Sequence, residues 1–307
     1  MEFNGVYPAM VTPLTPDEKV DKQGMRNVVR YCLDGGMHGV VVLGTTGEFP
    51  AMTDSMRQDA IEATLEEVQG KVPVLVGCGD SGTQKTLLQV RAAARTKANG
   101  VLVQVPFYFP LDQAAVIRHF LTIADASPLP VVLYHFPQMT KITYAPDTVA
   151  KLAAHPNVIG MKDSAGDFIT MQRYIEMTAE YDFAVASGLP TLALPAFELG
   201  AKAGIFAGGS LNPKLCVDIY EAWKRGDHAA AVTLQKKALL FSQIGTFGPN
   251  AAVIKFALSK LGICGPTATA PLAINPGAEE KIIPWMRKLG LEPGKEAAVA
   301  GGSGKTR

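Results

Sequence analysis

The stretch VIGMKDSAGDFITMQRYIEMTA, residues 158–179, contains the unit on which the fold prediction rests. Its first five residues form a β-branched apolar run of strand length, and a polar loop follows them. Residues 167–179 then show the amphipathic pattern of a helix. This order predicts a crossover unit, in which a helix connects two neighbouring parallel strands. Lys162 ends the apolar run, at a point where an unpaired ammonium would be costly to bury.

The same unit recurs along the chain. Counting Val158–Lys162, eight strand-length runs alternate with helical patterns, the others being Gly5–Val11, Gly39–Leu43, Pro73–Gly77, Gly100–Val105, Pro130–Tyr134, Phe183–Ser187 and Gly204–Ala207. Eight units predict an α/β fold of the (β/α)8 barrel type. A doubly wound open sheet is the alternative, but Thr12-Pro13-Leu14-Thr15 stands where its Gly-rich nucleotide-binding turn would follow the first strand.

The chain continues beyond the eighth run, where three further helical patterns occupy Val217–Arg225, Ala229–Gly245 and Ala251–Leu261. We therefore expect a catalytic barrel over residues 1–215 and a helical extension over residues 216–291. The Gly-, Ala- and Lys-rich residues 292–307 are expected to form a flexible tail.

Composition limits the kind of partner. Lys and Arg number 29 against 28 Asp and Glu, which gives a net charge of +1 and leaves no basic stripe for nucleic acid. The apolar runs are far shorter than a membrane span, and the N-terminus shows no signal-peptide pattern. The four cysteines form no CxxC pair, which is typical of reduced thiols. We therefore expect a cytoplasmic protein that acts on small molecules.

In such a barrel, catalytic groups lie at the carboxyl ends of the strands. Lys162 ends the sixth strand and shares a strand face with Gly160, so that a small residue below it would leave room for a long side chain. Burial would favour the neutral amine, which can attack a carbonyl. The alternative is a lysine that reaches the rim and pairs with Asp163.

Tyrosine and threonine side chains are expected at the same end of the barrel, its mouth. Tyr134 ends the fifth strand, where its phenol could move protons beside an imine-forming lysine, or could be an ordinary core aromatic. Thr45 and Thr46 follow the second strand in a Gly-flanked turn, where hydroxyls and helix-terminus N–H groups would bind a carboxylate. The alternative is a βα turn with Gly at positive φ and a threonine N-cap. The five histidines show no HxH or HExxH spacing, so no metal site is expected.

Four motifs in this order resemble one superfamily: GTTGE at 44–48, PFYF at 106–109, Tyr134 in LYHFP, and Lys162 in GMKDSAGD. It is the superfamily of pyruvate-dependent class I aldolases and lyases, which includes dihydrodipicolinate synthase and N-acetylneuraminate lyase. The resemblance extends over about residues 3–290.

The resemblance implies a homotetramer, a dimer of dimers, that binds a 2-keto acid and an aldehyde and uses no cofactor beyond a covalent imine on Lys162. It implies that Tyr134 is the acid/base, that Thr45 hydrogen-bonds to it, and that Thr46 holds the keto-acid carboxylate. Tyr108 matches a tyrosine that completes a proton relay across a dimer interface. Gly188 and Ile205 match positions beside the bound keto acid.

The sequence also departs from the superfamily. Met139 stands where dihydrodipicolinate synthases carry an arginine for the second substrate's carboxylate. Leu189-Pro190-Thr191 stands where sialic acid lyases carry acidic residues. These departures predict an apolar half-pocket formed by Phe107, Phe109, Phe136, Met139 and Leu189. The alternative is that some of these aromatic residues only contribute to packing.

We therefore predict a Schiff-base aldolase or lyase whose aldehyde partner is apolar or aromatic. Dihydrodipicolinate synthase and a 2-keto-3-deoxy sugar acid aldolase or dehydratase are alternatives within the superfamily. A metal-dependent class II aldolase and a non-catalytic keto-acid-binding barrel are the alternatives outside it.

Overall fold

The computed structural model describes residues 1–294 of the chain. All eight predicted strands are present, with ends that differ from the prediction by a few residues. They are β1 (Gly5–Pro8), β2 (Val40–Val42), β3 (Val74–Cys78), β4 (Gly100–Gln104), β5 (Val131–His135), β6 (Val158–Asp163), β7 (Ala184–Ser187) and β8 (Ala203–Phe206). The predicted tail lies outside the described residues from residue 295 onward.

The strands form one parallel sheet in the order β1-β8-β7-β6-β5-β4-β3-β2. The sheet closes between its two outer strands, because Ala9 and Val41 form a parallel bridge and the Met10 N–H donates to the Val41 carbonyl at 3.0 Å. The fold is therefore a (β/α)8 barrel, as the sequence predicted. Closure leaves no free sheet edge, and helices cover the outer face, so nearly every strand residue is buried.

Helices follow the strands around the barrel. The described residues contain α1 (Lys22–Asp34), α2 (Asp54–Val68), α3 (Thr83–Ala94), α4 (Gln113–Ala126), α5 (Pro137–Thr140), α6 (Pro146–Ala153), α7 (Phe168–Met177), α8 (Ala193–Glu198), α9 (Gly208–Leu211), α10 (Pro213–Lys224), α11 (His228–Ala238), α12 (Ile244–Phe247), α13 (Asn250–Lys260) and α14 (Glu279–Lys288). Short 3₁₀ helices occupy Phe49–Ala51, Pro190–Leu192 and Leu239–Gln243. Within residues 1–294, no helix has both the length and the apolar composition that crossing a membrane requires.

The helical extension begins differently from the expected pattern. Residues 217–224 of the first pattern expected in the extra layer belong to α10, which starts at Pro213 and packs against β1, α1 and α8 of the barrel and also against α11. The expected boundary at residues 215 and 216 thus falls inside this helix. Beyond it, α11, α13 and α14 are the longer helices of the described extension. Pro249 precedes α13 and places the start of that helix near the mouth of the barrel.

The barrel interior is filled by side chains from alternate strand positions. A buried cluster contains Phe3, Tyr7, Leu75, Leu102, Tyr134 and Ile205, among others. Gly160 serves this packing, because a Cβ atom there would lie 2.4 Å from the Ala184 carbonyl oxygen on β7 and 2.8 Å from Phe3 Cδ1. The expectation that Gly160 makes room for Lys162 is therefore wrong, since Phe3 occupies that space.

Candidate active site

A cavity of about 410 Å³ opens at the carboxyl ends of the strands. Residues from the loops after β2, β5, β6, β7 and β8 line it, as expected for a barrel of this type. The lining residues are Thr45, Thr46, Tyr134, Phe136, Met139, Lys162, Ser164, Gly188, Leu189, Pro190, Thr191, Ala207, Gly208, Phe241, Ser242, Ile244, Pro249, Asn250, Ala251 and Leu272. Up to Thr191, and apart from Ser164, these are residues that the sequence singles out for the site, whereas those from Ala207 onward are not.

Lys162 and Tyr134 lie together on the cavity floor. They are register partners on β5 and β6, and Lys162 Nζ is 4.2 Å from the centre of the Tyr134 ring. Lys162 is 4% exposed and Tyr134 is 3% exposed. Among the described residues, no carboxylate lies within 4.0 Å of Lys162 Nζ, because Asp163 pairs with His135 instead. The alternative of a rim lysine paired with Asp163 is therefore wrong.

The next residue on each strand points away from the cavity, and these two residues form a buried pair. His135 Nε2 accepts from the Tyr144 N–H at 3.3 Å, so Nδ1 carries the proton and donates to Asp163 Oδ1 at 2.8 Å. The Tyr144 hydroxyl donates to the Tyr134 carbonyl at 2.8 Å. These bonds hold the ends of β5 and β6 from the side opposite the cavity.

The loop after β2 brings a hydroxyl to the tyrosine. Thr45 Oγ1 and the Tyr134 hydroxyl are hydrogen-bonded at 3.1 Å. The backbone N–H groups of Thr45 and Thr46 have no protein acceptor within residues 1–294. A loop that leaves adjacent N–H groups free beside a cavity offers donors to an anionic ligand such as a carboxylate.

The conformation of this loop differs from the one expected. Its left-handed residues are Leu43 and Glu48, with φ of 60° and 59°, and not the glycines. A short 3₁₀ helix follows, and α2 begins only at Asp54, where Thr53 is the N-cap. The expected threonine N-cap and α-helix terminus at this loop are therefore wrong, and the free donors come from the strained turn itself.

Gly188 lies where two loops approach closely. Its N–H donates to the Asp163 carbonyl at 2.7 Å, and a Cβ atom there would lie 2.0 Å from Ser164 Oγ. Gly188 and Ser164 both line the cavity. Ile205 is fully buried in the barrel interior, in the same cluster as Tyr134, and is not one of the described residues that line the cavity.

The outer half of the cavity is apolar. Phe136, Met139 and Leu189 line it from the barrel side, and Phe241, Ile244 and Leu272 line it from the extension. Phe107 and Phe109, expected in this half, lie elsewhere: Phe107 packs edge-on against Phe49, and Phe109 is exposed. Lys162 is the only Lys, Arg, Asp, Glu or His among the described residues that line the cavity.

Tyr108 lies outside the cavity of its own chain. Its side chain is 86% exposed, its φ is 90°, and its ring packs edge-on against Phe109 at a centroid distance of 5.0 Å. Positive φ is unusual for an aromatic residue and costs conformational free energy that the surrounding structure must offset.

The part of the chain that the structure describes contains no group of three or more His, Cys, Asp or Glu side chains placed to hold a metal ion. The chemistry of the cavity thus centres on one amine, one phenol and the hydroxyl and N–H groups of the loop after β2.

Comparison with known proteins places this arrangement in a family. The sequence profile described as the dihydrodipicolinate synthetase family matches residues 2–281. The chain is 35% identical over 272 residues to a 4-hydroxy-tetrahydrodipicolinate synthase of Methanospirillum hungatei, which covers 88% of this chain and 93% of the relative. It is also 35% identical to the enzyme of that name from Methanopyrus kandleri over 295 residues, which covers 95% of this chain and 98% of the relative.

Solved structures agree. YagE of E. coli K12, a prophage protein of the dihydrodipicolinic acid synthase family crystallised in complex with pyruvate, superposes with a TM-score of 0.91 at 28% identity. The superposition covers 95% of this chain and 100% of that one. The chain therefore belongs to the dihydrodipicolinate synthetase family, whose enzymes are carbon–carbon lyases and synthases that bind pyruvate covalently through a lysine, without an external cofactor.

Proposed function

We propose that this protein is a class I aldolase or lyase in which Lys162 forms a Schiff base with pyruvate, and that its aldehyde partner carries an apolar or aromatic group. The observation that carries the proposal is the contact between Lys162 and Tyr134, an amine and a phenol on the floor of a cavity with no other charged residue among its described lining. This pair has the chemistry that imine formation requires.

The keto acid would enter with its carboxylate toward the loop after β2. The free N–H groups of Thr45 and Thr46 and the Thr46 hydroxyl provide donors there. A carboxylate held at this loop would direct the ketone carbon of pyruvate toward Lys162. Gly188 allows the loops after β6 and β7 to approach closely on the opposite side of the amine.

The reaction then follows from the groups in place. The Lys162 amine adds to the ketone to give a carbinolamine, and Tyr134 donates the proton with which the hydroxyl leaves as water. The resulting protonated imine accepts electrons as the Tyr134 phenolate takes a proton from the methyl carbon, which gives an enamine. The enamine carbon attacks the aldehyde carbon while Tyr134 protonates the aldehyde oxygen. Hydrolysis of the imine then returns a proton from water to Tyr134 and releases the product from Lys162. The lyase direction runs these steps in reverse, and Thr45 keeps the Tyr134 hydroxyl oriented throughout.

The aldehyde end of the cavity supports an apolar partner. Met139, at the position where dihydrodipicolinate synthases carry an arginine, provides no cation, and Phe136 and Leu189 lie beside it in the lining. Carboxylates are recognised best by the paired donors of an arginine. The activity in the names of the relatives, 4-hydroxy-tetrahydrodipicolinate synthase, is the second candidate, because the identity extends over nearly the whole chain. A 2-keto-3-deoxy sugar acid aldolase or dehydratase would need more hydroxyl partners than Thr191, Ser242 and Asn250 provide.

We also propose a cytoplasmic homotetramer, built as a dimer of dimers. The exposed Tyr108 and Phe109 support an aromatic interface through which Tyr108 would reach the partner's site and extend the proton relay. The four cysteines are unpaired, and burial raises the pKa of Cys78 and Cys264 to about 12, which suits stable thiols in a reducing compartment.

The test is reductive trapping followed by product analysis. The protein is incubated with pyruvate and borohydride, and peptide mass spectrometry maps the adduct. Pyruvate is then offered with a panel that contains benzaldehyde-type, hydroxylated and carboxylate-bearing aldehydes. An adduct on Lys162 and preferred turnover of the aromatic aldehydes are expected. No adduct on a folded protein would overturn the Schiff-base mechanism and favour a binding role, whereas activity lost to EDTA would favour a metal-dependent aldolase.

A further inference from the structure

A buried ion pair joins the helical extension to the loop that carries Thr45 and Thr46. Glu48 Oε1 contacts Lys255 Nζ, and the two side chains are 1% and 0% exposed. Glu48 Oε2 accepts from the Thr269 N–H at 2.6 Å and from the Thr269 hydroxyl at 2.8 Å. One carboxylate therefore binds two separate segments of the extension.

In the loop after β2, Glu48 is hydrogen-bonded through its backbone to a residue of the proposed carboxylate site. The Glu48 N–H donates to the Thr45 carbonyl at 3.0 Å, and the Gly47 carbonyl accepts from the Thr12 hydroxyl at 2.8 Å. Glu48 has a left-handed backbone, which a non-glycine residue keeps only where its surroundings hold it. The position of the Glu48 side chain thus constrains the turn that leaves the Thr45 and Thr46 N–H groups free.

In the helical extension, the two residues that bind Glu48 are close in sequence to residues on the opposite wall of the same cavity. Lys255 lies on α13, whose first residues, Asn250 and Ala251, line the cavity. Thr269 lies three residues before Leu272, which also lines it. The two walls of the cavity, more than 200 residues apart in sequence, are therefore connected through Glu48.

General physical chemistry favours a role in geometry over one in stability. A buried ion pair gains little net stability over well-packed apolar residues, because desolvation offsets the attraction. In some proteins, however, the directional bonds of buried polar groups fix the register between the elements that they join. Lys255 has no hydrogen-bond acceptor among the described residues beyond its contact with Glu48, and desolvation by burial lowers the pKa of this lysine, so the ammonium depends on that carboxylate.

We propose that Glu48 and Lys255 are positioning residues that hold the helical extension and the loop after β2 in the register needed to bind the keto-acid carboxylate. This inference rests on the proposed function for its ligand. It predicts that loss of the pair weakens pyruvate binding while the imine-forming groups remain able to react.

The test variant is Glu48→Gln/Lys255→Met, which removes both charges, shortens only the Lys255 side chain, by one atom, and leaves an amide oxygen for Thr269. We expect the pyruvate concentration that gives half-maximal borohydride trapping to rise at least ten-fold. The trapping rate at saturating pyruvate should fall less than three-fold, because Lys162 and Tyr134 are unchanged. Ile219→Ala, a fully buried truncation on α10 away from the cavity, is the control for a general loss of thermal stability.

If the pair has only a structural role, the double variant should behave like Ile219→Ala: its melting temperature falls, and the pyruvate concentration for half-maximal trapping stays unchanged. That result would overturn the proposal. If the double variant does not fold, Thr269→Val replaces it, with a smaller rise in half-saturation expected. Absence of trapping in the unsubstituted protein would contradict the proposed function and not this inference. Hydrogen exchange without ligand then decides: the Gly47 and Glu48 amides should exchange faster in the double variant and not in Ile219→Ala.

Discussion

The Tyr134 ring lies directly against the Lys162 side chain, with Lys162 Nζ 4.2 Å from the ring centre. The two residues are register partners on β5 and β6, so the spacing of neighbouring strands determines their separation. His135, Asp163 and Tyr144 hold the same strand ends from the opposite face. The amine and the phenol therefore belong to the rigid wall of the barrel and need no loop closure to meet.

Replacement of Lys162 by alanine should abolish pyruvate trapping, because no other amine lines the described cavity. The measurement is the mass of the borohydride-reduced protein after incubation with pyruvate. Lys141→Ala is the matched control, since Lys141 is an exposed lysine that hydrogen-bonds to the Gln138 carbonyl. An adduct that persists in Lys162→Ala and disappears in Lys141→Ala would contradict the assignment.

Tyr134→Phe should lower turnover by about 10²–10⁴-fold, the usual contribution of a positioned proton donor. The ring remains in place, so the packing around Lys162 should not change. Thr45→Val removes the hydrogen bond that orients the phenol and should lower turnover less, by roughly ten-fold. Steady-state kinetics with pyruvate and the best aldehyde of the panel provide both values. Equal losses in both variants would contradict a merely orienting role for Thr45, because removal of the proton donor itself should cost more.

Met139→Arg should shift selectivity toward aldehydes that carry a carboxylate, because it places a guanidinium on an otherwise uncharged wall. We expect the ratio of kcat/KM for a carboxylate-bearing aldehyde over that for benzaldehyde to rise by about ten-fold or more. Met139→Leu, which adds no charge, should leave the ratio unchanged. If the unsubstituted protein already prefers the carboxylate-bearing aldehyde, the synthase activity named for the relatives becomes the better assignment.

Tyr108→Phe should lower turnover by at least about ten-fold if the hydroxyl acts in the partner's site, while the assembly remains intact. Sedimentation velocity checks the assembly, and steady-state kinetics checks the rate. The control is Phe109→Leu, at the neighbouring exposed aromatic residue. This change should weaken the assembly but should not lower the turnover of the protein that remains assembled. A monomer with full activity would contradict the shared relay.

Stability should fall between neutral and mildly acidic pH because of His119. Burial lowers the pKa of His119 to about 4, below the ~6.5 of an unfolded chain. The unfolded state therefore binds a proton first, so this contribution to stability is complete above pH ~6.5 and is lost as the pH falls toward 4. The expected loss is roughly 2–3 kcal/mol by pH 4.5.

Denaturant unfolding at pH 7 and pH 4.5 measures this loss, with His119→Asn as the comparison. Asparagine can keep the hydrogen bond to the Thr83 hydroxyl without titrating. All other groups titrate alike in both proteins, so the difference between their losses isolates His119. The prediction fails if both proteins lose the same free energy of unfolding.

The barrel, and the place of Lys162 and Tyr134 at its mouth, could be predicted from local sequence patterns. Alternation of apolar runs and amphipathic segments is a local pattern, because strand and helix periodicities follow from backbone geometry. Lys162 and Tyr134 could be placed at the mouth for the same reason: each ends a recognisable strand, and parallel strands end at one face. Motif order then indicated the family, which the profile match confirms.

The set of distant residues that share the cavity, and the side chains that fill the barrel, could not be predicted in this way. Phe3 occupies the space at Gly160, and Glu48 pairs with Lys255 more than 200 positions away. Neither contact produces a periodic pattern in the sequence, because both contacts depend on how segments outside the strands pack onto the closed barrel. Packing is a property of the complementary surfaces that meet after the chain has folded, and nothing in the local sequence of either surface specifies its partner.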